Sequence, residues 1–228
     1  MYRIVFCCLL PLLQTITTAQ IIAPCERLRS TETSPDYVWV AAHRADCIYA
    51  PENSIEALEH ALKFGADIIE TDVRRTKDGH YVIMHDYTVD RTTDGTGRVS
   101  ELTLEEIKKL HLKTNWGGKT ELKVPTLEEY IAIARNRAHL YLDKAGYDLP
   151  GREEGSTVRD LLAVLHKEGV INQTIFVLDW PYEKAKRIFG DDLENVIFCP
   201  VVEDRIPALE AQVKEYIEKS IHCVFSSE

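Results

Sequence analysis

Short apolar runs rich in β-branched residues alternate with amphipathic stretches along this chain. The apolar runs, which predict strands, lie at 37–42, 66–73, 81–85, 139–143, 174–178, 195–199 and 221–225. The amphipathic stretches, which predict helices, lie at 54–64, 104–110, 127–135, 158–168, 183–189 and 208–219. Buried strands separated by helices form parallel sheets, so the pattern predicts an α/β fold. About seven strands in one domain favour a (β/α) barrel over an open doubly wound sheet, although periodicity alone does not separate the two.

Three element boundaries carry signals of their own. Asn53 or Ser54 can cap the helix that follows. The Asp-Gly dipeptide at 78–79 lies between two apolar runs and predicts a hairpin or a short crossover. Thr103 and Glu106 have the spacing of a capping box, which predicts a helix start.

Residues 1–19 have the pattern of a secretory signal. Arg3 precedes the apolar stretch 4–13, and small residues follow before the expected cleavage point. A membrane anchor is disfavoured because Pro11 interrupts this stretch, which is shorter than the ~20 residues of a membrane span. We therefore expect one barrel domain at 20–228, secreted or otherwise extracytoplasmic, without a transmembrane segment.

Composition narrows the classes of function. The chain has 228 residues, of which 45% are hydrophobic, enough for one domain with a sizeable core. Its formal charge of -10 argues against a nucleic-acid partner, because proteins that grip phosphate backbones need clustered Lys and Arg.

Four cysteines remain once the predicted signal is removed. Cys25, Cys47, Cys199 and Cys223 match no zinc-ligand spacing, and an even count in an oxidising compartment permits one or two disulfides. Their pairing stays open. For Cys199 and Cys223, which lie in apolar runs, buried thiols are an equal alternative.

Charged residues gather at the ends of three successive apolar runs. His43 and Arg44 follow the first run, and His85 ends the third. Glu70 and Asp72 are two positions apart in the second run, so alternation places both side chains on one face of a strand. In a barrel these strand ends converge on one rim, where active sites are built.

This set of residue types suits metal-assisted phosphodiester cleavage. Two carboxylates on one face repel each other unless a cation joins them, and oxygen ligands suit Mg²⁺ or Ca²⁺. Arginine can hold a phosphate, while two histidines can divide the acid and base roles. Each residue alone has an ordinary structural explanation, as a satisfied histidine or a solvated carboxylate. Their co-occurrence at three strand ends favours a site.

The string HRADCIYAPENS, followed by ETD, TKDGHYVIMHD and RTTDGTG, resembles the glycerophosphodiester phosphodiesterase family. Members of that family carry HRG with PENT, then E-x-D, then HD after T-x-DG. The resemblance covers 39–143, and the remainder agrees by strand pattern only. It implies a (β/α)₈ TIM-type barrel, a divalent metal and an acid/base pair formed by His43 and His85. It also implies Arg44 as a phosphate contact and Glu70 and Asp72 as metal ligands.

The resemblance implies further ligands on the next predicted strand. The family commonly has Glu-x-Lys there, and this chain has LYLDKAG, which gives Asp143 as a metal ligand and Lys144 as a phosphate contact. Lys144 stands one position early, so the alternative is an acid paired with its neighbour. Ala45 stands where the family usually has glycine, the residue that best tolerates positive φ.

The chain stops directly after its seventh apolar run, and the final strand and helix of the family's barrel are absent from the sequence. We therefore expect an incomplete version of a longer protein. Its open strand edges would permit self-association.

Two classes of function follow. One is a hydrolase that converts glycerophosphodiesters into glycerol 3-phosphate and an alcohol. The other is a non-catalytic or truncated member that binds phosphate or metal without turnover. A related phospholipase acting on lysophospholipids would need an exposed apolar loop for membrane docking, which the sequence does not clearly contain. The preferred head group, the metal, the nucleophile and the division of roles between the histidines stay open.

Overall fold

The computed structural model describes residues 5–6, 38–202, 214, 218 and 225–226. Its strands are β1 (Val5–Phe6), β2 (Val40–Ala42), β3 (Ile68–Arg75), β4 (Tyr81–Ile83), β5 (His111–Lys113), β6 (Lys119–Lys123), β7 (His139–Asp143), β8 (Thr174–Leu178), β9 (Ile197–Val202) and β10 (Phe225–Ser226). Its helices are α1 (Ile55–Lys63), α2 (Leu104–Lys109), α3 (Leu127–Ala134), α4 (Ser156–Glu168) and α5 (Tyr182–Phe189). Short 3₁₀ turns lie at Val99–Glu101, Ile171–Gln173 and Gly190–Glu194. The alternation confirms the predicted α/β class.

Most predicted elements are present within three residues of their expected ends. Strands β7 and β8 match the prediction at both ends, and the apolar run at 221–225 overlaps β10 at Phe225. The predicted helix at 208–219 falls largely outside the described residues, although Lys214 and Glu218 are helical. The hairpin of β5 and β6 was not predicted, because its strands are short and mostly polar. Among the described residues, no helix is long and apolar enough to cross a membrane.

The described residues form two compact units, one up to Leu140 and one from Tyr141 onward. In the first unit β1, β2 and β3 are parallel neighbours, with Ala41 opposite Ile68. Strand β4 pairs antiparallel with β3, so the Asp-Gly dipeptide makes a hairpin rather than a crossover. Nearly all of β3 is buried. Strand β3 is therefore part of the first unit's core, and polar side chains on it are buried as well.

Polar side chains fix the helix starts of the first unit. The hydroxyl of Ser54 accepts the amide of Ala57, so Ser54 rather than Asn53 caps α1. Thr103 and Glu106 form the predicted capping box at the start of α2. An equivalent box of Thr126 and Glu129 starts α3. Each cap satisfies amides that have no partner within the helix.

The second unit contains parallel strands with helices between them. β8 pairs with β9, and β9 pairs with β10, in parallel registers. Gly155 precedes α4 at φ +75°, and a Cβ there would lie 2.6 Å from Ile188 of α5. Glycine at this position thus permits both the left-handed turn and the close approach of α5. The cysteines of the described residues, Cys47 and Cys199, are thiols, while Cys25 and Cys223 lie outside those residues.

Asp148 caps α4 from outside the helix. Its carboxylate accepts the amides of Gly155 at 2.6 Å and Thr157 at 2.8 Å, and the hydroxyl of Ser156 at 3.1 Å. Burial alone would raise the pKa of Asp148, but these hydrogen bonds lower it below its usual value. The ionised form of Asp148 is therefore the one that stabilises the helix start.

Asp148→Ala removes all three hydrogen bonds, so we expect the free energy of unfolding at neutral pH to fall by about 1–2 kcal/mol. The folded-state pKa lies below the unfolded value of about 3.9, so this contribution is present above that pH. It is lost as pH falls through the lower, folded-state pKa. Urea unfolding of parent and variant at neutral and acidic pH measures both effects.

Asp191→Ala provides the matched control, because Asp191 is an exposed aspartate of the same unit. We expect it to change the free energy of unfolding by less than about 0.5 kcal/mol. Equal effects of the two substitutions at neutral pH would contradict the capping role.

Candidate functional site

Two buried carboxylates lie side by side at the centre of the first unit. Glu70 and Asp72 are 4% and 0% exposed on β3, and both face the same side of the strand. An oxygen of one lies within 4.8 Å of an oxygen of the other. Burying two like charges this close is unfavourable unless donors or a cation stabilise them.

The loop after β2 brings the predicted His43 and Arg44 to this pair. The amide of Arg44 donates to Oε2 of Glu70 at 2.6 Å, and Nε2 of His43 lies 4.0 Å from the same oxygen. Arg44 and Ala45 have φ of +51° and +61°, so two successive residues are left-handed. This conformation costs about 1–2 kcal/mol for each non-glycine residue and turns the Arg44 amide towards Glu70.

Asn53 holds the second carboxylate. Its Nδ2 donates to Oδ2 of Asp72 at 3.0 Å, and its Oδ1 accepts the hydroxyl of Thr71 at 2.9 Å. Its own amide donates to the carbonyl of Arg44. The sequence offered Asn53 as a helix cap, whereas the structure gives the cap to Ser54 and uses Asn53 within the site. Its φ of +61° is consistent with the tolerance of asparagine for this region.

His85 lies two residues beyond β4, in the segment that follows the strand paired with β3. The amide of Met84 donates to the carbonyl of Asp72 at 2.9 Å, which fixes this segment to β3. Arg74 donates from Nε and Nη2 to the carbonyl of His85 at 3.0 and 2.5 Å. The ring Nδ1 of His85 lies 2.7 Å from Oδ1 of Asp86. The backbone and ring of His85 are therefore both held.

An ionic network links the two sides of the site. Buried Glu52 accepts Nη1 of Arg44 at 3.1 Å and both terminal nitrogens of Arg91 at 2.8 Å. Arg91 also donates from Nε to Asp86 at 2.7 Å, next to His85. Glu52 and Arg91 therefore connect the predicted phosphate contact to a predicted catalytic histidine.

The network sets the protonation of its members. Hydrogen bonds from Arg91 lower the pKa of Asp86 well below its usual range. Burial would raise the pKa of Glu52, but Arg91 and Arg44 lower it overall. Burial first, and then the charge of Arg44, lower the pKa of His43. Both carboxylates of the network are thus ionised at neutral pH.

Sequence reasoning did not identify Arg91 and Asp86 as members of the site. Asp86 had a local signal, because it directly follows His85. Arg91 lies in a loop of mixed polar residues, and its partner Glu52 is far away in sequence. The exposed His80 and the half-buried His111 take no part in the contacts described above.

The remaining predicted residues lie in the second unit. Asp143 ends β7, and Lys144 follows it at φ +60°. The amide and Nζ of Lys144 donate to the two oxygens of Asp143 at 2.6 and 2.7 Å. Lys144 therefore pairs with Asp143, which is the alternative that the sequence left open for a lysine directly after the acid. Their roles towards metal and phosphate stay predictions.

The donors of β3 suit a divalent cation. Glu70 and Asp72 supply carboxylate oxygens, the ligands that Mg²⁺ and Ca²⁺ prefer. The arginine nearest to Asp72 has its Nε 3.8 Å from Oδ2, beyond hydrogen-bond range. A metal bound between the carboxylates would offset their repulsion. The acidic residues present therefore fit a bound metal ion.

This chain is similar to known proteins both in sequence and in structure. Residues 43–170 match the model of the glycerophosphoryl diester phosphodiesterase family. The chain is 49% identical over 102 residues to a glycerophosphodiester phosphodiesterase of Caldanaerobacter subterraneus subsp. tengcongensis, covering 44% of this chain and 42% of that protein. It is 38% identical over 151 residues to one of Bacillus subtilis, covering 61% and 50%.

A crystal structure of a glycerophosphoryl diester phosphodiesterase from Parabacteroides distasonis is similar to this chain, with a TM-score of 0.70 and 27% identity. The similarity covers 91% of this chain and 68% of that one. It supports the predicted fold class, an α/β fold of the TIM-barrel type. The two curated relatives are matched over half of their length or less.

Arg91→Gln tests the ionic network. Loss of the guanidinium charge should raise the pKa values of both Glu52 and Asp86, by about 1–3 units for an opposite charge at hydrogen-bond distance. Side-chain carboxyl signals followed by NMR across a pH titration measure the change. Exposed Arg98 lies in the same loop region, and Arg98→Gln is the control that should leave both pKa values unchanged. Unchanged values in Arg91→Gln would contradict the network.

Proposed function

The chain belongs to the glycerophosphoryl diester phosphodiesterase family, and from this membership we propose that it hydrolyses glycerophosphodiesters to glycerol 3-phosphate and an alcohol. One observation carries the proposal. The buried pair Glu70 and Asp72 lies beside His43 and Arg44, and the segment that carries His85 is hydrogen-bonded through Met84 to the backbone of Asp72. This arrangement supplies groups for metal binding, phosphate binding and proton transfer within one unit.

A divalent ion, Mg²⁺ or Ca²⁺, would be held by Glu70, Asp72 and Asp143. The first two ligands are supported by their burial and mutual proximity on β3. Asp143 is proposed from the family resemblance of its segment. When bound, such an ion neutralises charge on the phosphate oxygens and makes phosphorus more susceptible to attack.

Arg44 and Lys144 would bind the phosphate of the substrate. Glu52 accepts a hydrogen bond from Nη1 of Arg44 and so restricts the orientation of the guanidinium. The other N–H groups of Arg44 would donate to the phosphate. Nζ of Lys144 bonds to Asp143, so binding phosphate requires this ammonium to exchange a partner or to share it. Arg44 is therefore the better ordered of the two contacts.

His43 and His85 would perform the proton transfers. One ring accepts a proton from the attacking hydroxyl as the new P–O bond forms. Attack by water gives glycerol 3-phosphate directly, whereas attack by the substrate's own glycerol hydroxyl gives a cyclic phosphate that water must then open. The other ring donates a proton to the leaving alkoxide as its P–O bond breaks. With Nδ1 of His85 bonded to Asp86, Nε2 is the nitrogen that can exchange a proton with the substrate.

Two further predictions come from the sequence. The pattern at 1–19 supports export from the cytoplasm. Unpaired strand edges would support association between copies of the chain. Cleavage of the N-terminal segment in a secreting host tests export. The mass of the purified chain in solution tests association between copies.

His85→Ala should lower kcat for glycerophosphocholine by about 10²–10⁴-fold, the usual contribution of a positioned acid or base. His43→Ala should have an effect of similar size. The control is His80→Ala, because His80 is exposed in the turn between β3 and β4 and outside the site. Release of glycerol 3-phosphate by the full chain is the measurement.

A folded parent chain without measurable hydrolysis would reject turnover of this substrate and favour the non-catalytic alternative. Activity that survives in His85→Ala would contradict the role of that histidine. Circular dichroism of each variant separates loss of chemistry from loss of folding.

Glu70→Gln tests the metal site without relying on activity. Added Mg²⁺ or Ca²⁺ should raise the unfolding temperature of the parent, corresponding to about 2.7 kcal/mol at a hundredfold excess over Kd. The variant should lose this response because one anionic ligand is gone. In chelator the variant should be as stable as the parent or more so, since the carboxylate repulsion is removed.

Glu121→Gln is the matched control, with a side chain that is almost fully exposed on β6. It should keep the full response to metal. A parent chain that shows no stabilisation by either ion would contradict the proposed metal site.

A further inference from the structure

Four of the large apolar side chains that are exposed on the first unit form what we call the rim patch. Trp116 is 81% exposed, Tyr49 63%, Ile48 54% and Phe64 48%. Isolated exposed apolar residues are ordinary, but adjacent ones mark interaction surfaces. The sequence did not reveal this exposed apolar surface, because its members lie in separate segments.

The members of the rim patch are held next to each other by identified contacts. The ring of Tyr49 stacks on His60 at 3.6 Å, and His60 lies 4.5 Å from the ring of Phe64. The side-chain amide of Asn115 donates to the carbonyl of Cys47. This bond places the tip of the β5–β6 hairpin, which carries Trp116, beside Ile48 and Tyr49. The hairpin tip and the loop after β2 are therefore neighbours in the patch.

The hairpin tip presents Trp116 in a defined position. The amide of Thr114 donates to Gly118, the amide of Gly117 donates to Thr114, and the Thr114 hydroxyl accepts the amide of Gly118. Gly117 adopts φ +81°, which glycine allows without strain. The turn is thus closed by its own backbone and by Thr114, without any contribution from the indole of Trp116.

Basic groups border the patch. Lys113 and Lys119 are opposite each other in the hairpin, on either side of Trp116, and Lys63 lies 5.9 Å from the ring of Phe64. Nζ of Lys113 donates to the backbone carbonyl of Asp90. Because this carbonyl is neutral, the bond does not neutralise the positive charge of Lys113. Glu121 is farther from the tip, with a carboxylate 3.8 Å from His111. The tip is therefore locally basic on a chain with net charge -10.

We propose that the rim patch docks the protein onto an anionic phospholipid bilayer, with Trp116, Tyr49 and Ile48 in the headgroup region. Tryptophan and tyrosine favour that region because they combine an apolar body with a polar group. Lysines beside them add attraction to anionic lipid. A second copy of the chain fits less well, because a self-complementary contact would bring the lysines of one tip against those of the other.

Docking would place the proposed site at the lipid surface. Ile48 and Tyr49 belong to the same loop as His43 and Arg44, which contact the buried carboxylates. Amphiphilic phosphodiesters at a membrane would then be the substrates nearest to the site. Bilayer docking itself goes beyond the proposed function and needs no turnover, so its test is independent of hydrolysis.

Tryptophan fluorescence of the full chain reports docking directly. Trp39 and Trp180 are buried, so a blue shift on adding vesicles comes from the exposed Trp116. We expect this shift, together with co-sedimentation, for vesicles of phosphatidylcholine mixed with phosphatidylglycerol, and weaker binding to phosphatidylcholine alone. Trp116→Ala should abolish the shift and lower vesicle affinity by about tenfold.

The charge contribution has its own matched pair of variants. Lys119→Glu should weaken binding to the anionic vesicles by about tenfold, because it reverses a charge beside Trp116. Lys167→Glu makes the same change in net charge at an exposed position of α4 and should leave binding unchanged. Equal losses in both variants would indicate attraction by net charge and overturn the proposal.

Two other outcomes would also overturn it. One is a chain that binds neither type of vesicle. The other is a chain that does not bind vesicles but dimerises in a manner abolished by Trp116→Ala, which would assign the rim patch to contact between copies. Circular dichroism confirms folding of each variant, so that loss of binding is not loss of structure.

Discussion

The structure of the first unit depends on accommodating two carboxyl groups that are buried beside each other on β3. Glu70 and Asp72 have almost no access to water, so hydrogen-bond donors must replace their hydration. The amide of Arg44 and the side chain of Asn53 supply such donors. Both donors come from residues with positive φ. The loop before α1 therefore accepts backbone strain because its donors stabilise the two carboxyl groups in the middle of β3.

The same demand explains why the charged groups around the pair form a network instead of separate ion pairs. Arg44 is close to three carboxylates, and it would be poorly oriented without Glu52 to hold it. Glu52 is itself buried and needs a second cation, which Arg91 supplies. Arg91 has donors left for Asp86, next to His85. Each buried charged group thus needs a partner of opposite charge, and the partners form a chain from Arg44 through Glu52 and Arg91 to Asp86.

Sequence reasoning recovered what local pattern determines. β7 and β8 are continuous buried runs, and their ends were predicted correctly because apolar periodicity stops where burial stops. His43, Arg44 and His85 were recognised for a related reason, because each is a charged or polar residue where an apolar run stops. The partnership of Glu52 with Arg91 and the position of Trp116 depend on loops meeting in space, which no local pattern encodes. Asn53 and Ser54 stayed alternative caps, because the local signal of asparagine is the same for a cap and for a site residue.

The position of Glu52 between two arginines has a consequence for how this sequence can change over generations. A neutral residue in place of Arg91 would leave Glu52 with half of its compensation, and a neutral residue in place of Glu52 would leave two guanidinium groups facing each other. Each single replacement passes through an unfavourable intermediate, whereas a joint replacement does not. The two positions are therefore expected to evolve as a pair, and a lineage that abandons one should abandon the other.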